Sequence, residues 1–73
     1  MLTITHVEVK PNLLSAFLSN NTICSYHFTH APAAFLAQAT PEQWQNWHLL
    51  RQGTAVEWPE LERILTVKKL LQP

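Results

Sequence analysis

One segment of the 73-residue chain, residues 53–61, constrains the fold more than any other, because it contains the only glycine and a tryptophan directly followed by proline. Gly53 suits a backbone position with positive φ, which residues with a Cβ atom adopt only with strain. Residues 54–58 alternate in character as the side chains of a strand do. Pro59 ends this strand because proline has no N–H to donate to a sheet. The segment therefore predicts a turn at Gly53 and a strand that carries Trp58.

A short helix is predicted to begin just after Thr40. Thr40 is a favourable N-cap, Pro41 suits the first helical position, and Gln43 lies three residues after the cap, which together form a capping box. Trp44 and Trp47 are three residues apart and are predicted to share one face of this helix.

The first half of the chain predicts three consecutive strands, at residues 4–9, 13–19 and 22–29. Asn20 and Asn21 tolerate a left-handed backbone and predict a two-residue hairpin turn between the second and third strands. Short connections of this kind predict an antiparallel meander. Alternation divides the first strand into two faces, with Thr5, Val7 and Val9 on one and Ile4, His6 and Glu8 on the other.

The remaining segments are predicted to be mainly helical. Pro32 can open a helix over residues 33–38. Residues 60–65 are predicted to form a turn or a short helical piece, and a final helix is capped by Thr66. The whole chain, residues 1–73, is therefore predicted to be one α+β domain with the order β-β-β-α-α-β-α, in which a small antiparallel β-meander carries short helices on one face.

Several short motifs occur in a fixed order along the chain: Thr40-Pro41-Glu42, Asn46-Trp47, Gly53, residues 57–61, and Leu65-Thr66-Val67 followed by Leu70-Leu71. Together with residues 18–22, they resemble a small bacterial family catalogued as domain of unknown function 2442, and the resemblance covers nearly the whole chain. Three segments depart from the family pattern. They are residues 62–64 in place of an acidic run, Asn20-Asn21 in place of Asp-Gly, and residues 32–34 in place of Pro-Arg-Leu.

The resemblance implies a function as well as a fold. Members of the family are small cytoplasmic bacterial proteins, often encoded beside a second small protein in pairs suggested to be toxin–antitoxin systems. This chain would then be the antitoxin-like partner and would bind its toxin directly. Because some members are fused to DNA-binding domains, the resemblance also leaves open a role as a nucleic-acid-binding or transcription-regulatory accessory protein.

Composition favours association with another protein over binding to nucleic acid. Hydrophobic residues make up 47% of the chain and charged residues only 14%, which predicts an exposed apolar patch on so small a domain. Five acidic side chains balance five basic ones, so there is no basic excess to neutralise phosphates. We therefore expect a protein partner, which is either another small protein or a second copy of the chain.

Cysteine content and hydropathy predict a cytoplasmic protein. The only cysteine, Cys24, cannot form an internal disulfide, and a reducing cytoplasm is the simplest setting for it. The N-terminal residues show no basic region followed by an apolar core, so no signal peptide is expected. No apolar run reaches the roughly 18 residues of a membrane-spanning helix.

No pattern in the sequence predicts an enzyme, a metal site or a cofactor. His27 and His30 are three residues apart, but Cys24 would point to the opposite face from His27, and a zinc site needs converging ligands. Cys24 lies in a predicted core strand, where a thiol is inert. Glu60 and Glu62 are expected on a solvated turn rather than in an acid–base pocket. A single glycine leaves no phosphate-binding loop.

The candidate interaction residues are the three tryptophans and three charged residues of the predicted turn, namely Trp44, Trp47, Trp58, Glu60, Glu62 and Arg63. Tryptophan is enriched at interface hot spots, but a small domain also needs its area in the core. We expect Trp47 and Trp58 in the core and Trp44 at the surface. Strand edges are a further candidate, because an edge can pair with a second copy or with an extended segment of a partner.

Overall fold

The structure, a computed structural model, describes residues 2–72. Its strands are β1 (Ile4–Lys10), β2 (Leu13–Leu18), β3 (Ile23–His27), β4 (His48–Leu50), β5 (Ala55–Trp58) and β6 (Arg63–Thr66). Its helices are α1 (Pro41–Gln45), α2 (Val67–Leu71) and 3₁₀ helices at Ala34–Gln38, Arg51–Gly53 and Pro59–Leu61. The strands form two antiparallel sheets with the orders β1-β2-β3 and β4-β5-β6. The chain is therefore a small α+β protein.

The first sheet is the predicted antiparallel meander, but its second turn differs from the prediction. The Leu18 N–H donates to the carbonyl oxygen of Thr22 at 2.9 Å, and the Asn21 N–H donates to the carbonyl oxygen of Leu18 at 3.1 Å. The loop therefore contains three residues, 19–21, rather than two. Asn21 adopts the left-handed conformation with φ of 68°, as is usual at the last position of such a loop.

The predicted alternation in β1 is wrong at its first residues because the strand contains a bulge. The register with β2 shifts between Ile4 and His6, so Thr5 is an extra residue in the ladder. A bulge of this kind moves the preceding side chain to the other face of the strand. Ile4 is consequently buried on the same side as Val7 and Val9, whereas Thr5 is exposed.

The second sheet contains the predicted strand that carries Trp58, but two further strands flank it. Residues 48–50, for which no strand was predicted, form β4. Of the segment 60–65, predicted as a turn or short helical piece, Glu60 and Leu61 lie in a 3₁₀ helix, but residues 63–65 belong to β6. The order β-β-β-α-α-β-α is thus incorrect. Leu61, Ile64 and Leu65 have helical spacing, but a left-handed residue, Glu62 with φ of 54°, separates the 3₁₀ helix Pro59–Leu61 from β6.

The predicted capping box starts α1 as expected. Thr40 Oγ1 accepts from the Gln43 N–H at 3.1 Å, and Gln43 Oε1 accepts from the Thr40 N–H at 3.0 Å. The helix ends at Gln45, so the prediction that Trp44 and Trp47 share a helix face is wrong. Each tryptophan instead makes its own contacts with the core.

Residue 53 also behaves as the sequence indicated. Gly53 has φ of +94°. A Cβ atom at this position would lie 3.0 Å from the carbonyl oxygen of Ile4 and 3.1 Å from Cβ of Thr3. The 3₁₀ helix Arg51–Gly53, which connects β4 to β5, therefore approaches β1 closely at this point, which requires glycine for space as well as for conformation.

Both sheets contribute to one hydrophobic core, and Trp58 is completely buried within it. The final helix, α2, begins after Thr66, whose Oγ1 accepts from the Lys69 N–H at 3.1 Å, as predicted. Leu70 is buried, and its carbonyl oxygen accepts a hydrogen bond from the Tyr26 hydroxyl, which joins α2 to β3. Within residues 2–72, no helix has the length and apolar character needed to cross a membrane.

Candidate interaction site

Exposed hydrophobic side chains concentrate on the edge strands of both sheets. Four large hydrophobic residues within residues 2–72 are exposed, and three of them, Ile23, Leu49 and Ile64, lie on β3, β4 and β6. These strands are edges because β2 and β5 occupy the centres of their sheets. An edge strand presents backbone N–H and C=O groups that lack a neighbouring strand, so apolar side chains there favour pairing with another chain.

The hydrogen-bond pattern shows which backbone groups of β6 face outward. The Val67 N–H donates to the carbonyl oxygen of Thr54 at 3.0 Å, which marks a bonded position of the ladder with β5. Bonded and non-bonded pairs alternate along antiparallel strands. In the observed register Leu65 therefore faces β5, and the N–H and C=O of Ile64 point to the open side. Within residues 2–72, no loop forms a backbone hydrogen bond with Ile64 on this side.

The same reasoning applies to β3, which gives a matched edge for comparison. The Phe28 N–H donates to the carbonyl oxygen of Asn12, and the Leu18 N–H donates to that of Thr22. Both bonds fit the register in which Ile23 is a non-bonded residue, so its N–H and C=O also face away from β2. Ile23 is 56% exposed and Ile64 is 49% exposed. The two isoleucines are thus equivalent in position and exposure on opposite sheets.

A groove lies beside β6 and distinguishes this edge from β3. The groove has a volume of about 530 Å³, and we call it the β6 groove. One wall is formed by β6 together with Lys69 of α2 and Gln72 after it, and the other by the segment that contains the 3₁₀ helix Ala34–Gln38. Its lining residues are Ala31, Pro32, Ala34, Phe35, Gln38, Arg63, Ile64, Leu65, Lys69 and Gln72.

The wall opposite β6 is held in place by aromatic contacts. The ring of Phe35 meets the ring of Trp58 edge-on, with centroids 5.3 Å apart. The guanidinium carbon of Arg63 lies 5.9 Å from the centroid of the Phe35 ring, within the range of a cation–π interaction. Trp58 thereby supports Phe35, and Arg63 spans from β6 to the opposite wall. The wall of the groove that contains Phe35 thus packs directly on the core.

Charge in the β6 groove has one sign. Two of its lining residues, Arg63 and Lys69, are cations, and none of its lining residues is a carboxylate. The ion pairs found within residues 2–72 join Lys10 to Glu8 and His48 to Glu57. Neither groove cation is therefore neutralised by an ion pair in the described part of the chain.

The three tryptophans proposed as interaction residues differ in burial and in their contacts. Trp58 is completely buried, and its Nε1 donates to the carbonyl oxygen of Trp44 at 3.0 Å. Trp44 is half-buried, with its own Nε1 donating to Leu36 at 3.1 Å. Trp47 is also half-buried and packs edge-on against His6, with ring centroids 5.7 Å apart. The expected contrast between an exposed Trp44 and a core Trp47 is therefore not observed.

Of the three predicted charged residues, only Arg63 lines the groove. Glu60 is exposed and accepts a hydrogen bond from Nδ2 of Asn46 at 2.8 Å. Glu62 is exposed on the turn that precedes β6. Sequence reasoning missed Phe35, Ile64 and Lys69, because the groove brings together two segments about 30 residues apart and no local pattern marks their approach.

Within residues 2–72, no three His, Cys, Asp or Glu side chains lie close enough together to hold a metal ion. Burial raises the pKa of the Tyr26 phenol, and the neighbouring Cys24 thiol adds to this rise. Because the Tyr26 hydroxyl donates to Leu70, the group has a structural contact of its own.

A second cavity, of about 500 Å³, lies around the start of α2. Its lining is mostly apolar and comprises Leu2, Arg51, Thr54, Thr66, Val67, Lys68, Leu71 and Gln72. The outward-facing strand residue that lines this cavity, Thr66, is polar and caps α2, whereas Ile64 is apolar. We therefore take the β6 groove as the better candidate site.

Comparison with known proteins adds no relative. No protein-family model matches the chain, and neither a curated protein nor a solved structure matches it. The resemblance to the domain of unknown function 2442 family stays a prediction from the sequence motifs.

Proposed function

We propose that this chain is a non-enzymatic protein-interaction module that binds a partner along the open edge of β6. The observation that carries the proposal is the position of Ile64, a half-exposed apolar residue whose backbone N–H and C=O face outward beside a groove. Strand addition at an open edge obtains affinity from main-chain hydrogen bonds and specificity from side-chain pockets. The β6 edge supplies both kinds of contact.

The composition and the motifs support the proposal independently. A chain that is 47% hydrophobic and has no net charge is suited to bind another protein rather than nucleic acid. The resemblance stated above extends the proposal to the kind of partner, which would be a small protein encoded beside this one and neutralised by direct contact. That extension depends on analogy with the family and not on the geometry of β6.

Affinity capture with two matched variants tests the proposed function. The wild-type chain, Ile64→Pro and Ile23→Pro are each tagged and used to capture proteins from the host lysate, with and without nuclease. Proline removes an outward-facing N–H at either position without removing a bond of the sheet. We expect one stoichiometric protein to be retained by wild type and Ile23→Pro, and lost from Ile64→Pro, whether or not nuclease is present.

Two results would contradict the proposal. Equal capture by all three chains would place the binding surface away from the β6 edge. Loss of the captured material on nuclease treatment would show that nucleic acid mediates the association, which is the alternative that the neutral charge disfavours.

A further inference from the structure

We infer that the natural occupant of the β6 groove is an extended peptide segment of a partner protein that alternates acidic and apolar side chains. This inference rests on the proposed function and adds the chemistry of the partner. Four features of the groove lead to it, namely the length of the open edge, the apolar lining, the sign of the charge and the mismatch with a second copy.

The first feature is the short length of the edge. Strand β6 contains four residues, and its ladder with β5 occupies alternate ones. Ile64 is left with both backbone groups facing outward. The next outward residue, Thr66, is the N-cap of α2, and the carbonyl oxygen of an N-cap accepts the first bond of its helix. A partner strand can therefore exchange a full pair of hydrogen bonds only with Ile64. Side-chain contacts in the groove have to supply the rest of the affinity.

The second feature is the apolar lining. Ile64 and Phe35 lie on opposite walls, and Ala34 and Pro32 extend the apolar surface of the wall that contains Phe35. Successive side chains of an extended segment point in opposite directions. Arg63 and Ile64 are successive residues of β6, so their side chains project to opposite faces of the strand. A bound strand would therefore place every second side chain beside Ile64, where an apolar residue fits, and the intervening ones beside Arg63.

The third feature is the sign of the charge. Arg63 and Lys69 line the groove, no carboxylate lines it, and neither cation belongs to an ion pair found within residues 2–72. An acidic segment would provide the missing partners, and like charges placed there would be repelled. Charge complementarity therefore selects a segment with carboxylates over a neutral or basic one.

The fourth feature disfavours a second copy of the chain as the occupant. Pairing of β6 with the β6 of another copy is isologous, so in a register centred on Ile64 it would place Arg63 opposite Leu65 of the other copy rather than opposite a carboxylate. The other edge strands offer little acid in exchange. Strands β3 and β4 contain no carboxylate, and the one in β1, Glu8, is already paired with Lys10.

Fluorescence anisotropy with synthetic peptides tests this inference on the full chain. The probe is a dye-labelled, end-blocked hexapeptide of alternating Glu and Val, and the control probe alternates Lys and Val. We expect wild type to bind the Glu probe at least about tenfold more tightly than the Lys probe, which corresponds to about 1.4 kcal/mol. Raising the ionic strength to about 1 M, where the Debye length is about 3 Å, should weaken the binding.

Variants test separately how the two groove cations and the outward-facing N–H of Ile64 contribute to peptide binding. The double variant Arg63→Gln, Lys69→Gln should lose the preference for Glu over Lys, and Ile64→Pro should lose binding to the Glu probe. Ile23→Pro should bind as wild type does, which controls for general effects of proline at an edge. Circular dichroism confirms that each variant is folded before its binding is compared.

The outcomes distinguish the inference from the function on which it rests. Equal or tighter binding of the Lys probe, or no binding of the Glu probe, would overturn the acidic-segment inference. If Ile64→Pro still loses the captured protein in the lysate experiment, the interaction at β6 stands with a partner of different chemistry. If Ile23→Pro weakens binding of the Glu probe as much as Ile64→Pro does, both proposals are wrong about the site.

Discussion

The indole Nε1 of Trp58 donates a hydrogen bond to the backbone carbonyl oxygen of Trp44 at 3.0 Å. This bond satisfies the one polar atom of a completely buried tryptophan and connects β5 to α1. The ring of Trp58 also packs against Phe35, which lines the β6 groove. The core of the protein and its candidate binding site therefore depend on one side chain.

Replacing Trp58 with Phe should lower the free energy of unfolding by about 1–3 kcal/mol, since the change leaves the Trp44 carbonyl without its donor and reduces the filled volume. Urea denaturation followed by circular dichroism measures the loss. Trp47→Phe is the matched control, because Trp47 is only half-buried and should cost less than half as much. Equal losses at the two positions would show that the buried hydrogen bond has no special role.

Gly53→Ala should also destabilise the fold, by about 1–3 kcal/mol. The new Cβ would lie 3.0 Å from the Ile4 carbonyl oxygen, and φ is +94°. The adjacent residue provides the control, because Gln52 also has a positive φ, of 59°, and already carries a side chain. Gln52→Gly should be neutral or slightly stabilising. Thermal unfolding of the two variants compares them, and a stable Gly53→Ala would disprove the close approach.

Several parts of the fold could be predicted from the sequence. The capping box at Thr40, the positive φ of Gly53 and the end of β5 at Pro59 were all predicted, because each depends on the conformational limits of one or two residues. The three strands of the first sheet were predicted because each is long enough to show alternation.

Features that depend on distant contacts were not readable. Strand β4 contains only three residues, and β6, although as long as β5, lacks the flanking glycine and proline that marked the bounds of β5. Leu61 and Leu65 are four residues apart, as on one face of a helix, but Leu61 ends a 3₁₀ helix and Leu65 lies in β6, with the left-handed residue Glu62 between them. Ile64 was assigned to this supposed helix, and so its place on an open edge became evident only from the pairing of β6 with β5.

The pKa of the Tyr26 phenol predicts a specific loss of stability in alkali. Burial raises the pKa in the folded state above the ordinary value of 10.0, so the folded protein favours the protonated phenol. The resulting contribution is complete below pH about 10 and is lost as the pH rises through the folded-state pKa. Tyr26→Phe should be less stable than wild type at neutral pH, because it loses the bond to Leu70, and should show a shallower decline above pH 10.

Absorbance of the phenolate measures this titration directly, because Tyr26 is the only tyrosine in the chain. Denaturant titrations of wild type and Tyr26→Phe at several pH values give the stability difference, in which the contributions of the lysines cancel. A phenol that ionises below pH 10, or a difference that grows with pH, would contradict the assigned direction of the shift.

Proline scanning along β6 tests the assigned direction of its backbone groups. Ile64→Pro removes an N–H that faces outward, so the fold should be retained with a modest loss of stability. Leu65→Pro removes an N–H that bonds to β5 and places a ring in the core, so it should lose about 3 kcal/mol or more. Thermal melts of the two variants compare them directly. The reverse order of stability would show that the alternation was assigned to the wrong residues.

Amide hydrogen exchange at Ile64 tests the central claim most directly, because the claim concerns this one N–H. In the free protein the Ile64 amide should exchange faster than the Leu65 amide, which is bonded to β5. Saturation with the captured partner or the Glu-Val peptide should slow exchange at Ile64 by at least about tenfold and leave Ile23 unchanged. Exchange at Ile64 that does not respond to a bound partner, or slowing at Ile23 instead, would contradict binding along the edge of β6.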